Sequence, residues 1–165
     1  MKICMIGTGY VGLVSGTCFA DLGNKVYCVD KDKSKINKLK NSVLPIYEPG
    51  LEDLIRNNLR AKRLVFTDDL KKAIEDSQII FICVGTPTKK GSNLVDLSQV
   101  YSVTKSISKY IKNYKIIVTK STVPVTTGDQ IEKIISKRVK KSLFEVVSNP
   151  ESVSYTHLRA HETNS

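Results

Sequence analysis

A glycine-rich segment near the N-terminus has the residue types and spacing that bind phosphate groups. Gly7-Thr8-Gly9-Tyr10-Val11-Gly12 follows a short apolar run and opens a stretch of helical periodicity. Gly7 permits a tight turn, Gly9 lets a phosphate approach the backbone, and Gly12 lets the helix pack closely on the preceding strand. The first helical turn then offers N–H groups and partial positive charge to an anion.

An acidic residue stands where such a pattern places the contact to a ribose. Asp30 ends the second apolar run, and its carboxylate can accept hydrogen bonds from ribose hydroxyls. Because a carboxylate repels a 2′-phosphate, the sequence favours NAD over NADP as the cofactor. Lys31, Lys33 and Lys35 weaken this argument slightly, and a glycine turn without a ligand is the alternative.

The elements that must position these residues alternate regularly along the chain. We predict strands over residues 2–6, 25–30, 64–66, 79–84, 115–119 and 144–147. We predict helices over residues 10–22, 32–39, 51–59, 68–74, 96–111 and 124–139, with Thr67 capping the fourth. The strands are continuous apolar runs, which indicates burial on both faces. The predicted fold class is α/β, a Rossmann-like doubly wound, mainly parallel sheet with helices on both faces.

The first helix and the cysteines give further expectations about the core. Apolar residues recur at helical spacing in the first helix, namely Val11, Val14, Cys18, Phe19 and Leu22. Cys4, Cys28 and Cys83 fall in predicted strands, and no pair of cysteines has CxxC spacing. We therefore expect the four cysteines to be small buried apolar residues rather than zinc ligands or a redox pair.

Composition limits the class of protein further. The chain has 165 residues and a formal net charge of +10, from 26 basic and 16 acidic residues. Its apolar runs are too short to span a membrane, and its first residues do not form a signal peptide. We expect a soluble, cytoplasmic protein. The lysine clusters at 31–40 and 137–141 lack interleaved aromatic residues, so we interpret them as solvated helix faces and expect neither a nucleic-acid nor a membrane partner.

The last residues do not continue the pattern of the body. Residues 153–163 correspond to one reading frame of a common transposon adapter used in sequencing libraries, and both histidines, His157 and His161, lie there. We expect a domain over residues 1–152 and a non-native, disordered tail over 153–165, with a natural C-terminal extension as the alternative. A body without histidine offers no Ser-His or Cys-His couple and no histidine metal site, so we expect no metal.

Four blocks in fixed order resemble the UDP-glucose/GDP-mannose dehydrogenase family, and within it the UDP-glucose branch most. They are residues 7–14, with the glycine turn, and the segments Pro45-Ile46-Tyr47-Glu48-Pro49-Gly50-Leu51, Val84-Gly85-Thr86-Pro87 and Lys120-Ser121-Thr122-Val123-Pro124-Val125. A fifth block, Ser148-Asn149-Pro150-Glu151, is cut short. The resemblance implies the N-terminal NAD-binding domain of a longer, homo-oligomeric enzyme. In that family the C6 alcohol of a nucleotide sugar such as UDP-glucose is oxidised to a carboxylate with two NAD⁺, through a cysteine-bound intermediate.

The resemblance also implies roles for individual residues. Those at the pyrophosphate, the adenosine ribose and the cofactor wall are Gly7, Gly9, Tyr10, Val11, Gly12, Asp30, Lys35 and Thr86. Thr122 resembles a threonine that lies near the cofactor and helps to order the catalytic water. Glu151 resembles the first acid of a conserved segment near substrate and cofactor, so Thr122 and Glu151 are the candidate catalytic residues.

Two departures from the family pattern matter. Thr126 stands where the family has glycine, and we expect this change to be tolerated. The family segment breaks off after Glu151, so the catalytic cysteine and the nucleotide-sugar domain have no counterpart here, and we expect the chain to bind NAD without turning over substrate. The alternatives are a UDP-N-acetylmannosamine or GDP-mannose dehydrogenase, a 6-phosphogluconate or hydroxyacyl-CoA type of dehydrogenase, and a stand-alone NAD-binding regulatory or nucleic-acid-binding module.

Overall fold

The computed structural model of the chain describes residues 1–89, 91 and 94–150. Two of the sequence predictions, the role of Glu151 and the tail over 153–165, fall outside the described residues.

Strands and helices alternate along the described residues, as the sequence predicts. The strands are β1 (Lys2–Ile6), β2 (Lys25–Val29), β3 (Leu64–Thr67), β4 (Ile79–Ile82), β5 (Lys115–Thr119) and β6 (Phe144–Ser148). The helices are α1 (Tyr10–Asp21), α2 (Lys33–Lys40), α3 (Leu51–Arg60), α4 (Leu70–Asp76), α5 (Ser98–Ser108) and α6 (Thr127–Ser136). A single 3₁₀ turn, Lys141–Leu143, precedes β6.

The six strands form one sheet in the order β3-β2-β1-β4-β5-β6. Every neighbouring pair is parallel; in the centre, Ile3 of β1 lies between Val26 of β2 and Ile79 of β4. This is the doubly wound order of dinucleotide-binding folds, so the predicted fold class is confirmed, with a sheet that is wholly rather than mainly parallel.

Helices cover both faces of the sheet, which is why the strands are apolar throughout. Alternate residues of each strand point to opposite faces, so the core has two halves. Leu13, Ile36 and Ile55 from α1, α2 and α3 pack on one face. Ile74, Ile107 and Ile131 from α4, α5 and α6 pack on the other.

Helix α1 has only part of the predicted apolar face: Val14 and Phe19 pack against the core but are only partly buried. Its buried residues are Gly12, Leu13, Gly16, Thr17 and Ala20, whereas Leu22 is 79% exposed and Cys18 is exposed. A Cβ atom on Gly16 would lie 2.7 Å from Sγ of Cys28. At Gly16 the helix therefore lies so close to the sheet that a side chain there would displace its neighbours. The expectation that all four cysteines are buried fails at Cys18 and holds at the other three.

Four predicted helix starts, those of α2, α4, α5 and α6, differ from the structure by one to three residues, and two of them have a clear local cause. Asp69 rather than Thr67 caps α4, since its side chain accepts a hydrogen bond from the N–H of Lys72, while Thr67 accepts one from the N–H of Asp69. Helix α6 begins at Thr127 rather than at residue 124, because a turn closed by the Thr127 N–H and the Pro124 carbonyl precedes it. Thr126 has an ordinary negative φ of −72°, so this position does not require glycine.

Among the described residues one lysine, which lies outside the clusters at 31–40 and 137–141, is buried. Lys115 begins β5 and is only 2% exposed. Its Nζ donates hydrogen bonds to the backbone carbonyls of Glu75 and Ser77 at the end of α4. A cation is favourable at a helix C-terminus. Burial nevertheless lowers the pKa of Lys115, because it penalises the charged form.

Candidate functional site

The carboxyl ends of β1 and β4 enclose a cleft of about 700 Å³. The chain leaves β1 toward α1 on one face and leaves β4 toward α5 on the other, and ligands of doubly wound sheets bind at such a switch point. The cleft is bordered by Gly7 and Gly9 after β1, Asp30 and Lys35 after β2, Cys83 to Gly85 after β4, and Ser98, Ser102 and Ser106 of α5.

Two glycines of the turn are required by the fold itself. Gly7 has a φ of +103°, and a Cβ atom there would lie 2.7 Å from the carbonyl oxygen of Cys83. A Cβ atom on Gly12 would lie 1.9 Å from the carbonyl oxygen of Gly7. Any side chain at either position would therefore separate α1 from the strands that carry it.

Gly9 is different, because nothing in the described chain requires it to be glycine. Its φ is −71°, which any residue adopts, and a Cβ atom on it would have no atom within 4 Å. Gly9 caps α1 and borders the cleft, and the first intrahelical bond runs from the Leu13 N–H to the Gly9 carbonyl. The N–H groups of Val11 and Gly12 precede that bond, so the space that a side chain on Gly9 would fill suits an anion.

The Asp30 carboxylate is held by hydrogen bonds from three residues. Its Oδ2 accepts from the Thr8 N–H at 3.1 Å, from Thr8 Oγ1 at 2.7 Å and from Lys35 Nζ at 3.1 Å. Its Oδ1 accepts from the Asp32 N–H at 3.1 Å. The carboxylate is thereby fixed at the end of β2, beside the glycine turn.

These contacts keep Asp30 ionised. Partial burial by itself would raise its pKa, but the hydrogen bonds from the Thr8 hydroxyl, the backbone of Asp32 and Thr8, and the Lys35 ammonium outweigh it and lower the pKa to about 2. At neutral pH Asp30 therefore accepts hydrogen bonds and repels a further anion placed against it.

The remaining turn residue with a polar side chain, Tyr10, reaches a second sequence block. Its hydroxyl donates a hydrogen bond to Oε2 of Glu48 at 2.8 Å. Glu48 lies in the loop before α3, next to Tyr47, which is 91% exposed. This hydrogen bond thus joins the glycine turn to the loop before α3, although Tyr10 and Glu48 are 38 positions apart in sequence.

Thr86 and Thr122 are brought together one strand further along the sheet. Thr86 Oγ1 donates a hydrogen bond to the Thr122 carbonyl at 3.1 Å, and Ser121 Oγ donates one to the Val84 carbonyl at 2.7 Å. The Asn149 N–H donates a hydrogen bond to the Thr119 carbonyl at 2.9 Å, which holds the residue after β6 beside the end of β5.

Sequence reasoning missed the residue that contacts Asp30 most closely. Thr8 occupies a position that the glycine motif leaves variable, so the motif does not single it out. The available signal was a hydroxyl between two glycines, at the end of the strand that neighbours the Asp30 strand. Ser121 enters the sequence prediction only as a member of the block at residues 120–125. Its hydroxyl nevertheless donates a hydrogen bond to the Val84 carbonyl, which connects the end of β4 to the end of β5.

The comparison with family models decides the family. The model for the NAD binding domain of the UDP-glucose/GDP-mannose dehydrogenase family matches residues 1–160. The chain belongs to this family. NAD is the cofactor of this domain, and the open space at Gly9 and the ionised Asp30 fit its pyrophosphate and its unphosphorylated ribose. Among the described residues, no cluster of histidine, cysteine or acidic side chains could hold a metal ion.

Curated relatives and solved structures agree with this assignment. The chain is 53% identical over 151 residues to a UDP-glucose 6-dehydrogenase of Rhizobium meliloti, covering 92% of this chain and 35% of that protein. It is 56% identical over 151 residues to the UDP-glucose 6-dehydrogenase TuaD of Bacillus subtilis, covering 91% and 32% respectively. The chain therefore spans about a third of the length of these relatives.

A GDP-mannose dehydrogenase structure from Pseudomonas aeruginosa superposes with a TM-score of 0.86 at 37% identity, covering 92% of this chain and 36% of that one. A UDP-glucose dehydrogenase from Pyrobaculum islandicum superposes with a TM-score of 0.82 at 32% identity, covering 90% of this chain and 35% of that one.

In the part of this chain that the structure describes, no helix is both long and apolar enough to cross a membrane.

Proposed function

We propose that this chain is the cofactor-binding part of a UDP-glucose 6-dehydrogenase, which oxidises UDP-glucose to UDP-glucuronate with two NAD⁺. The observation that carries the proposal is the ionised Asp30 carboxylate, paired with Lys35 and set against a glycine turn at the β1–β4 switch point. The identity of 53–56% to two UDP-glucose 6-dehydrogenases supports the choice of substrate.

The proposed roles follow the position of each residue around the cleft. Gly7, Gly9, Tyr10, Val11 and Gly12 hold the pyrophosphate through the turn and the first helical N–H groups. Asp30 accepts a hydrogen bond from a ribose hydroxyl, and Lys35 donates one to the ribose. Thr86, with Thr122 beside it, borders the nicotinamide half. NAD supplies the hydride acceptor when bound, and these residues fix its position.

The catalytic proposals concern Thr122 and Glu151, of which Glu151 lies outside the described residues. Thr122 helps to order the water that hydrolyses the covalent intermediate, and Glu151 contributes an acid near substrate and cofactor. The family's cysteine nucleophile has no counterpart among the matched blocks. The chain alone therefore binds NAD but does not turn over UDP-glucose.

The enzyme to which it belongs is homo-oligomeric and cytoplasmic, and the four free thiols are consistent with a reducing compartment.

A second substrate class has one observation in its favour. A GDP-mannose dehydrogenase and a UDP-N-acetylmannosamine dehydrogenase of Staphylococcus aureus have the same domain fold, with TM-scores of 0.86 and 0.83. The fold of the cofactor domain does not depend on the sugar. The higher identity to UDP-glucose enzymes makes UDP-glucose the first choice. Assay of the full reading frame with all three nucleotide sugars distinguishes them, and turnover of GDP-mannose alone would replace the proposal.

Calorimetric titration of the 165-residue chain with NAD, NADP and duplex DNA tests the cofactor role. We expect NAD binding, weaker NADP binding, and no formation of NADH when UDP-glucose is added. Asp30→Ala should weaken NAD binding by about 1–3 kcal/mol, the scale of a lost hydrogen bond to a charged group. Asp129→Ala, on the exposed side of α6, is the control that should leave it unchanged. Salt-dependent DNA binding without NAD binding would overturn the proposal.

A further inference from the structure

We propose that Thr8 is a positioning residue for the cofactor: it locks the Asp30 carboxylate so that Oδ1 is presented to the adenosine ribose. The inference rests on the proposed NAD-binding function and adds to it a residue that the glycine motif leaves unassigned. Thr8 acts through Asp30 and does not itself contact the cofactor.

The geometry around Thr8 carries the argument. Thr8 is fully buried and directs both of its donors, the backbone N–H and the side-chain hydroxyl, to the same oxygen of Asp30. Two donors from one rigid residue fix both the position and the plane of the carboxylate. Gly7 and Gly9 flank Thr8, so the turn that receives the pyrophosphate also sets the acid that receives the ribose.

The acceptor capacity of the carboxylate explains which oxygen is left for the ribose. An ionised carboxylate has about four lone-pair sites, two on each oxygen. Oδ2 already accepts three hydrogen bonds from Thr8 and Lys35, whereas Oδ1 accepts one, from the Asp32 N–H, among the described residues. A ribose hydroxyl therefore bonds to Oδ1. The other charged groups bordering this end of the cleft are Lys31 and Asp68.

The variant that tests the lock is Thr8→Val, which replaces the hydroxyl with a methyl group of similar size. Without that donor, the pKa of Asp30 should rise from about 2 toward its ordinary value of 3.8. The affinity for NAD should fall about fivefold to tenfold, because the carboxylate is no longer held in one plane. Thr8→Ser keeps the hydroxyl and should restore both the pKa and the affinity.

Thr17→Val is the matched control. Thr17 is also a fully buried threonine near the start of the chain, but its hydroxyl donates to the Leu13 carbonyl within α1. This variant loses a buried hydroxyl without touching Asp30, so it should leave the Asp30 pKa and the NAD affinity unchanged. Comparison of the two valine variants separates positioning from general loss of stability.

The Asp30 pKa is measured by carboxyl-carbon NMR on the 165-residue chain without cofactor, with Asp30→Asn used to assign the signal. Failure of the parent chain to bind NAD would refute the proposed function, while the NMR titration still tests the lock. The lock itself is refuted if Thr8→Val leaves the Asp30 pKa at the parent value, or if Thr8→Val and Thr17→Val weaken NAD equally. A raised pKa with rescue by serine supports it.

Discussion

At the scale of single residues, Gly9 and Gly12 lie three positions apart but serve different purposes. A side chain on Gly12 would collide with the backbone of Gly7, whereas a side chain on Gly9 would extend into open space in front of α1. Gly12 is therefore required by the packing of the protein itself, whereas nothing in the described residues requires Gly9, and its proposed role is to leave space for the cofactor phosphate.

The corresponding alanine variants should separate stability from binding. Gly12→Ala should lower the free energy of unfolding by about 1–3 kcal/mol or prevent folding, because the backbone must move. Gly9→Ala should change it by less than about 0.5 kcal/mol, since the site is exposed and unstrained. The same Gly9→Ala variant should bind NAD at least about tenfold more weakly, as its methyl group would occupy the proposed phosphate site. Urea unfolding and NAD titration measure the two effects. Normal NAD affinity in Gly9→Ala would show that the phosphate lies elsewhere.

The pKa of Asp30 predicts how stability depends on pH. The carboxyl is a stronger acid in the folded protein, with a pKa of about 2, than in the unfolded chain, where it is near 3.8. Its ionised form therefore stabilises the fold above about pH 4, and this contribution is lost as the pH falls toward 2. Asp30→Asn cannot titrate, so the difference in unfolding free energy between parent and variant should shrink over this range. A difference that stays constant from pH 5 to pH 2 would contradict the assignment.

At the scale of elements, the position of α1 depends on how closely it approaches the sheet. Its inward face consists mainly of small residues, and Gly16 faces the Cys28 thiol and the Met5 side chain. This close approach brings the N-terminus of the helix to the cleft between β1 and β4. Small residues here position the site as much as the residues that border it.

Packing between α1 and β2 can be tested with a compensating pair. Gly16→Ala should lower the free energy of unfolding by about 1–3 kcal/mol, because the new methyl group overlaps the Cys28 sulfur. Cys28→Ala removes that sulfur, so the double variant should be more stable than the sum of the single changes predicts. Cys18→Ala is the control, since that thiol is exposed, and it should not compensate. Additive behaviour of Gly16 and Cys28 in urea unfolding would contradict the close contact.

Some parts of the molecule could be predicted from the sequence and others could not. Strand positions, their order of alternation and the glycine turn follow from local patterns, and the structure has them within a few residues. The inward face of α1 was predicted only in part, because periodicity weights large apolar residues, whereas the buried face of this helix consists mainly of small ones. Thr8 and Lys115 were missed for another reason: their roles depend on partners at the ends of other elements, which no spacing along the chain reveals.

At the scale of the whole molecule, the two ends of the parallel strands have distinct roles. The cleft and the charged residues around it lie at the carboxyl ends. At the amino ends, Lys115 donates hydrogen bonds to the backbone carbonyls of Glu75 and Ser77, which connects β5 to the end of α4. This buried contact holds the two halves of the doubly wound fold together below the site.

Lys115→Met should therefore destabilise the protein far more than a typical lysine substitution. The methionine fills much of the space but leaves the carbonyls of Glu75 and Ser77 without their donor, at a cost of about 2–4 kcal/mol in unfolding free energy. Lys112→Met is the matched control, because Lys112 pairs with Glu75 from a side chain that is 73% exposed. Surface pairs of this kind contribute about 1 kcal/mol or less. Equal effects of the two variants in thermal or urea unfolding would refute the role of Lys115.

The central place of β1 also governs how the chain is made. Of the six described strands β1 is translated first, but one of its two neighbours, β4, lies more than seventy positions further along the chain, since Ile3 pairs with Ile79. At ribosomal rates, β4 follows β2 by roughly 3–10 s. During that interval one edge of β1 has no strand beside it. Nascent chains that stop before residue 79 would expose this apolar edge to one another, so they should aggregate, whereas chains that extend past β6 should remain dispersed.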